Sequence, residues 1–329
     1  MNNEPMFELF GLQVTPYALS VALALVMGIA ALALVCRRDG LKGGTAALCA
    51  AFCLLLGPRA ARLGYCLVRI RHYLEIGLEN VLRPGEGEFM LLGAVAGCAL
   101  AGWLTARLTR QKTGSVLDAM AAPAALTIAL CRFAEYLSGD GYGLDVLDDT
   151  FMRFPFAVVN EYEEWYWAVF VLEGLWALMM LVILLTSRRT GGEKAKLFLI
   201  LYCAAQITLE GLRRDEYLRL IFFVRVAQLL SALVIAGLMI AATVRWAKKQ
   251  HNPGMGRTGI IVCWAVALLC AGAVIALEFA ADGKILTWMP VWAIYLAMAL
   301  CSVAFGIAAG RMVLSRGEQV DKTCAGLLK

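Results

Sequence analysis

Residues 117–143 read LDAMAAPAALTIALCRFAEYLSGDGYG. The stretch starts as an apolar span long enough to enter a bilayer and ends in a glycine-bearing turn. Arg132, Glu135 and Asp140 sit toward that far end. A charge at membrane depth costs roughly 2.5–3.5 kcal/mol per residue even on lenient insertion scales. A chain keeps such charges when they pair, face a wet cavity or bind something polar. The stretch therefore predicts a membrane helix with a polar site at one end.

The rest of the chain agrees with that reading. Of the 329 residues 61% are hydrophobic, and the mean hydropathy is +0.73. These values exclude an ordinary soluble domain and fit a polytopic membrane protein. Apolar runs near span length recur at about 15–36, 43–65, 89–106, 117–136, 165–186, 195–212, 221–244, 258–279 and 288–309. The expected fold is all-α and polytopic, with no soluble domain between the spans. The first 14 residues carry Glu4 and Glu8 and no basic stretch, so no cleavable signal peptide is expected. Most of the eleven cysteines lie within apolar runs and read as small hydrophobes. The two histidines, His72 and His251, fall outside the spans, which excludes a histidine-rich metal site. No metal, cofactor or nucleic-acid partner is expected.

Lysine and arginine collect in alternate connections: Arg37–Lys42, Arg107–Lys112, Arg188–Lys196, Arg245–Arg257 and the tail after Arg311. By the positive-inside rule these face the cytoplasm, which places the N-terminus outside and the C-terminus inside. The remaining basic residues are Lys284 and eleven arginines: Arg59, Arg62, Arg69, Arg71, Arg83, Arg132, Arg153, Arg213, Arg214, Arg219 and Arg225. Arginine stays charged and grips phosphate or carboxylate in two-pronged fashion. An outward arginine set at headgroup depth points to an anionic phospholipid. The plainer reading of any one of them is an anchor that snorkels to lipid phosphate. Arg132 fits that reading least, because two carboxylates follow it.

Four span ends on that side carry polar groups: Arg62; Arg132 with Glu135 and Asp140; Glu210 with Arg213; and Arg225 with Gln228. Their convergence predicts one site. Residues 69–82 alternate charge with Leu74, Ile76, Leu78, Val81 and Leu82 and read as one interfacial amphipathic helix. Gly93 and Gly97 have the spacing of a close helix contact. Residues 139–164 form a long acidic connection, expected to be a lid, a docking surface or a solvated loop. Spans eight and nine carry no charge except Glu278. The expected division is a seven-span core, 1–249, and an appended hairpin with a basic cytoplasmic tail, 250–329.

In this order the motifs resemble the bacterial prolipoprotein diacylglyceryl transferase family. Tyr17 matches a tyrosine of its first helix, and Arg62-Leu63-Gly64-Tyr65 resembles its G-x-R-[LI]-G-Y element. Asp118 and Ala122-Pro123 match the start of its fourth helix. Arg132 through Gly143 resembles the signature R-x-G-N-F-x-N-x-E-x-x-G, with Asp140 at the glutamate and Glu135 at an asparagine. Glu210 and Arg213 match E-x-x-R, and Gln228 matches a glutamine of the seventh helix. Of the H-P-x-Q-x-Y-E element only Glu173 matches, and the family's basic residue in span six falls on Gln206. Its third-helix histidine falls on Leu92, which cannot accept a proton.

The resemblance implies an outward-facing site in a bacterial plasma membrane. There diacylglycerol passes from phosphatidylglycerol to the lipobox cysteine in a prolipoprotein signal peptide, leaving a thioether and glycerol phosphate. It implies catalytic roles for Arg132, Asp140, Glu210 and Arg213, and substrate binding by Tyr17, Arg62, Glu135, Gly143 and Gln228. With Leu92 in the histidine's place, Asp140, Glu135 or Glu210 is expected as base, or the arginines alone lower the thiol pKa. Two alternatives stay open: a relative that binds lipid or lipoprotein without transfer, and a small-solute transporter. The second is disfavoured because no repeat joins the two halves and the charges lie on one side.

Overall fold

The computed structural model describes residues 4–9, 12–82, 89–139, 141–160, 162–214, 219–221, 224–248, 255–281 and 288–314. The chain is an all-α polytopic membrane protein. Its helices are α1 (Pro16–Arg38), α2 (Thr45–Val68), α3 (Ile70–Ile76), α4 (Leu91–Thr109), α5 (Thr113–Ser138), α6 (Val169–Thr186), α7 (Glu193–Leu212), α8 (Val226–Ala247), α9 (Arg257–Ala281) and α10 (Val291–Val313). Among the described residues, all of these except α3 are long and apolar enough to cross a membrane.

The bundle is assembled from neighbour pairs: α2 on α4, α1 on α5, α5 on α6, α7 on α8, and α9 on α10. The α2–α4 contact uses the expected glycines. A Cβ at Gly93 would lie 2.6 Å from the carbonyl oxygen of Ala60, and one at Gly97 equally close to that of Leu56. The backbones touch because no side chain intervenes. The main core, with Met180, Ile200, Ile235, Met239, Ala309 and Met312 fully buried in it, runs between α5, α6, α7, α8, α9 and α10. The hairpin α9–α10 is therefore packed into the bundle, chiefly through α10 on α7 and α8.

At the end opposite the polar site, Asp118 of α5 reaches the start of α7. Its carboxylate accepts from the backbone N–H of Gly192 (2.7 Å) and of Ala195 (3.0 Å). Those amides have no partner within the helix, and a carboxylate also complements the positive end of the helix dipole. A residue of one span thus caps another.

Two expectations change, and a third gains detail. Residues 69–82 are two pieces, α3 and a 3-10 turn over Leu78–Leu82. Gly77 separates them with φ +99°, a conformation that a helix interior does not accept. Span seven begins later than expected, because a short antiparallel pair, β5 (Arg219–Ile221) with β6 (Val224–Arg225), precedes it. The acidic connection 139–164 is built rather than loose. β3 (Ala157–Val159) pairs with β4 (Trp165–Trp167), and Ala157, Val158 and Tyr166 of this pair are buried, as is Val146. A further pair, β1 (Phe7–Leu9) with β2 (Leu12–Val14), precedes α1.

Candidate functional site

The site lies where α5, α7 and α9 end and where α6 and α8 begin. Its centre is Glu173, one turn into α6 and 3% exposed. Arg132 Nε lies 2.7 Å from Glu173 Oε2, and Arg213 Nη1 donates to the same oxygen at 3.1 Å. Gln206 Nε2 donates to the other oxygen at 3.1 Å. One carboxylate therefore holds α5, α6 and α7 together. Arg132 also pairs with Glu135 on its own helix. The second oxygen of Glu135 is buried without a hydrogen bond and lies 3.9 Å from Arg213 Nη2. Two arginines and two glutamates form a closed ionic square.

The backbone around the square is equally tied. Gly143 forms an isolated antiparallel bridge with Arg213. Its N–H donates to Trp167 O at 2.7 Å, and Leu144 N–H donates to Leu212 O at 2.8 Å. A Cβ on Gly143 would lie 2.7 Å from the Trp167 Cβ and 2.8 Å from Leu212 O, so only glycine fits. Arg225 donates to the Arg213 carbonyl, and Gln228 caps the first turn of α8 by accepting from the Arg225 N–H at 3.2 Å. Glu210, one turn before Arg213, lies within electrostatic reach of Arg213, Glu173, Arg225 and Arg132. No hydrogen bond or ion pair from the described residues closes on its carboxylate, unlike those of Glu135 and Glu173.

Outside the bundle, Arg214 stacks over the Tyr166 ring at 4.8 Å. The Tyr166 hydroxyl donates to Glu164, which holds that carboxyl below its ordinary range, and the same bond pushes the Tyr166 phenol up.

Of the residues expected from sequence, Arg132, Glu135, Arg213 and Gly143 meet directly. Glu210 lies beside them, and Gln228 joins through Arg225. Arg62 is engaged elsewhere. Its guanidinium donates to Val81 O (3.2 Å) and Asn80 O (3.0 Å) and lies 5.3 Å from the Tyr73 ring centre. It ties the segment after α2 to the bundle. Tyr17 is half-buried in the first turn of α1. Asp140 lies outside the described residues. Sequence reasoning noticed Glu173 but gave it no role. The signal was there: a lone carboxylate in the apolar run VFVLEGLWALMM.

Residues 4–244 match the family model for prolipoprotein diacylglyceryl transferase. Curated relatives bear the name phosphatidylglycerol–prolipoprotein diacylglyceryl transferase. The relative from Shouchella clausii is 26% identical over 260 residues, covering 75% of this chain and 91% of its own length. One from Clostridium novyi is 25% identical, covering 72% of this chain and 94% of its own length. One from Staphylococcus aureus is 26% identical, with 75% and 90% covered. The contacts of this candidate site all fall within the matched residues, and on that match the chain belongs to the prolipoprotein diacylglyceryl transferase family.

Proposed function

We propose that the protein transfers the diacylglyceryl group of phosphatidylglycerol to the lipobox cysteine of prolipoproteins. It would act at the outer face of a bacterial cytoplasmic membrane, with its N-terminus outside and its C-terminus inside. The observation that carries this reading is the pair Arg132 and Arg213, converging on one carboxylate oxygen at the end of the bundle. Two guanidiniums fixed on a single anion form a phosphate-sized site. In the resting protein Glu135 and Glu173 fill it.

In the proposed reaction the phosphate of phosphatidylglycerol takes the place of the Glu135 carboxylate against Arg132 and Arg213. The cysteine thiolate attacks the glycerol carbon that bears the phosphate. The S–C bond forms as the C–O bond breaks, and the electron pair leaves on the phosphate oxygen as glycerol phosphate. The arginines stabilise the charge that grows on the departing phosphate, which is where preorganised cations act most strongly. Glu210, whose carboxylate pairs with none of the described residues, is the base proposed to take the thiol proton. Residues 1–249 would form the transferase core and 250–329 an appended hairpin and tail.

The test is expression in a bacterium depleted of its own transferase, following the mass of a prolipoprotein. A diacylglyceryl increment is expected, and unmodified precursor despite good membrane expression rejects the reading. The internal neutralisation of both arginines favours one other reading, lipid or prolipoprotein binding without transfer. Retention of labelled phosphatidylglycerol with no turnover would select it.

A further inference from the structure

The family match ends at residue 244, before α9 begins at Arg257. Yet the hairpin enters the polar end of the bundle. Glu278, in the last turn of α9, is buried, and its Oε1 accepts from Gln228 Nε2 at 2.7 Å. The same nitrogen donates to the Ile207 carbonyl on α7 at 2.9 Å. One amide of α8 thus bridges α7 and α9. Its room depends on Gly211, where a Cβ would lie 2.9 Å from Glu278 Oε1 and 3.1 Å from Gln228 Nε2. The Tyr295 hydroxyl of α10 donates to the Gly211 carbonyl at 3.4 Å. Ala280, Ile294 and Met298 share an apolar cluster with Val169 and Leu212, which lie next to the ionic square.

From Gln228 the connection continues. Gln228 caps Arg225, Arg225 donates to the Arg213 carbonyl, and Arg213 holds Glu173. Packing alone does not ask for a carboxylate in this hairpin. The neutral pair Thr208–Ser302, at 2.8 Å between α7 and α10, fastens the hairpin to the bundle without charge. A buried carboxylate is costly unless its hydrogen bonds do something a neutral pair does not.

We infer that Glu278 is a positioning residue: through Gln228 it fixes the junction of α7 with α8, and so holds Arg213 where an anion is gripped. The inference rests on the transfer reading above for its effect on turnover. The full-length protein in lipid nanodiscs is compared as wild type, E278A, E278Q and S302A. E278Q keeps an acceptor for the Gln228 amide, and S302A breaks a hairpin contact remote from the square. With phosphatidylglycerol and a lipobox peptide, E278A is expected to lose about tenfold or more in kcat/KM. E278Q should return to within about threefold of wild type, and S302A should match wild type. Equal losses in E278A and S302A, or no loss in E278A, overturn the inference.

Hydrogen exchange of the same four proteins gives a readout that needs no turnover. E278A, and not S302A, should speed exchange selectively at residues 211–214 and 226–229. If the wild type proves inactive, the transfer reading fails. Unchanged exchange in E278A then overturns the positioning role on its own terms.

Discussion

Arg62 and Arg132 look alike in the sequence: each is an arginine near the end of an apolar span on the same side of the bundle. Their surroundings differ in kind. Arg62 donates to two backbone carbonyls and lies over tyrosine rings. Arg132 faces two carboxylates, and both of them also lie beside Arg213. A carbonyl that belongs to the backbone cannot leave, so Arg62 is a clasp. A carboxylate on a side chain can be exchanged for another anion, so Arg132 holds a replaceable partner. On the proposed reading, the nature of the acceptor, more than depth or burial, separates an arginine that builds from one that binds.

The comparison is broken or sharpened most sharply at Arg132. R132A is expected to abolish lipidation, lowering it by about a hundredfold or more, since it removes one of two cations from the departing phosphate. It also leaves Glu173 short of a partner, a change worth about 3–5 kcal/mol for a buried pair, so thermal unfolding is measured alongside. R132K, which keeps the charge and loses the fork, separates the two effects: its stability should recover further than its activity. R62A should reverse the pattern. It strands two carbonyls and should cost about 1–3 kcal/mol, with the surviving folded protein transferring within about threefold of wild type. Loss of transfer at unchanged stability in R62A would erase the distinction.

E135N removes the carboxylate proposed to yield to phosphate. Phosphatidylglycerol should then bind about threefold or more tighter, read as a lower KM, whereas weaker binding would show that Glu135 orients the arginines rather than occupying their site. The smallest effect belongs to the outer loop. The Glu164 carboxyl is held low by the Tyr166 hydroxyl, so its support for the β3–β4 hairpin is complete above the ordinary carboxylate range. That support fades as pH falls through the lowered value. Protection of 157–167 from exchange should follow this course in the wild type and lose its pH dependence in E164Q.

The membrane fold was legible because its signal is local: each apolar run declares its helix, and Gly93 and Gly97 declare a close contact by spacing alone. Half the site was legible for a related reason. Arg132, Glu135, Glu210 and Arg213 are charges where charge is costly, and the alternate basic connections put them at one end. Glu173 escaped because its partners lie 33 to 41 residues away and no short pattern contains them. Arg62 was placed with Arg132 because sequence shows what an arginine is, and the acceptor it finds after the chain folds is set by Gly77 and the turn beyond it. The acidic loop stayed open for the opposite reason: its described charges give no pattern, and a few buried residues, Val146, Val158 and Tyr166, decide its shape.

One earlier feature reaches further than its local role. Asp118 pins the first turn of α7, and Glu173 and Arg213 pin its last. Between those pins run twenty residues, about 30 Å of helix, close to the hydrocarbon thickness of an average bilayer. A span fastened at both ends to its neighbours cannot tilt to suit a thinner or thicker membrane without pulling on one pin. The protein therefore carries an internal gauge. The arginines are set at a fixed height from the opposite face, and in the proposed reaction the lipid must bring its phosphate to that height.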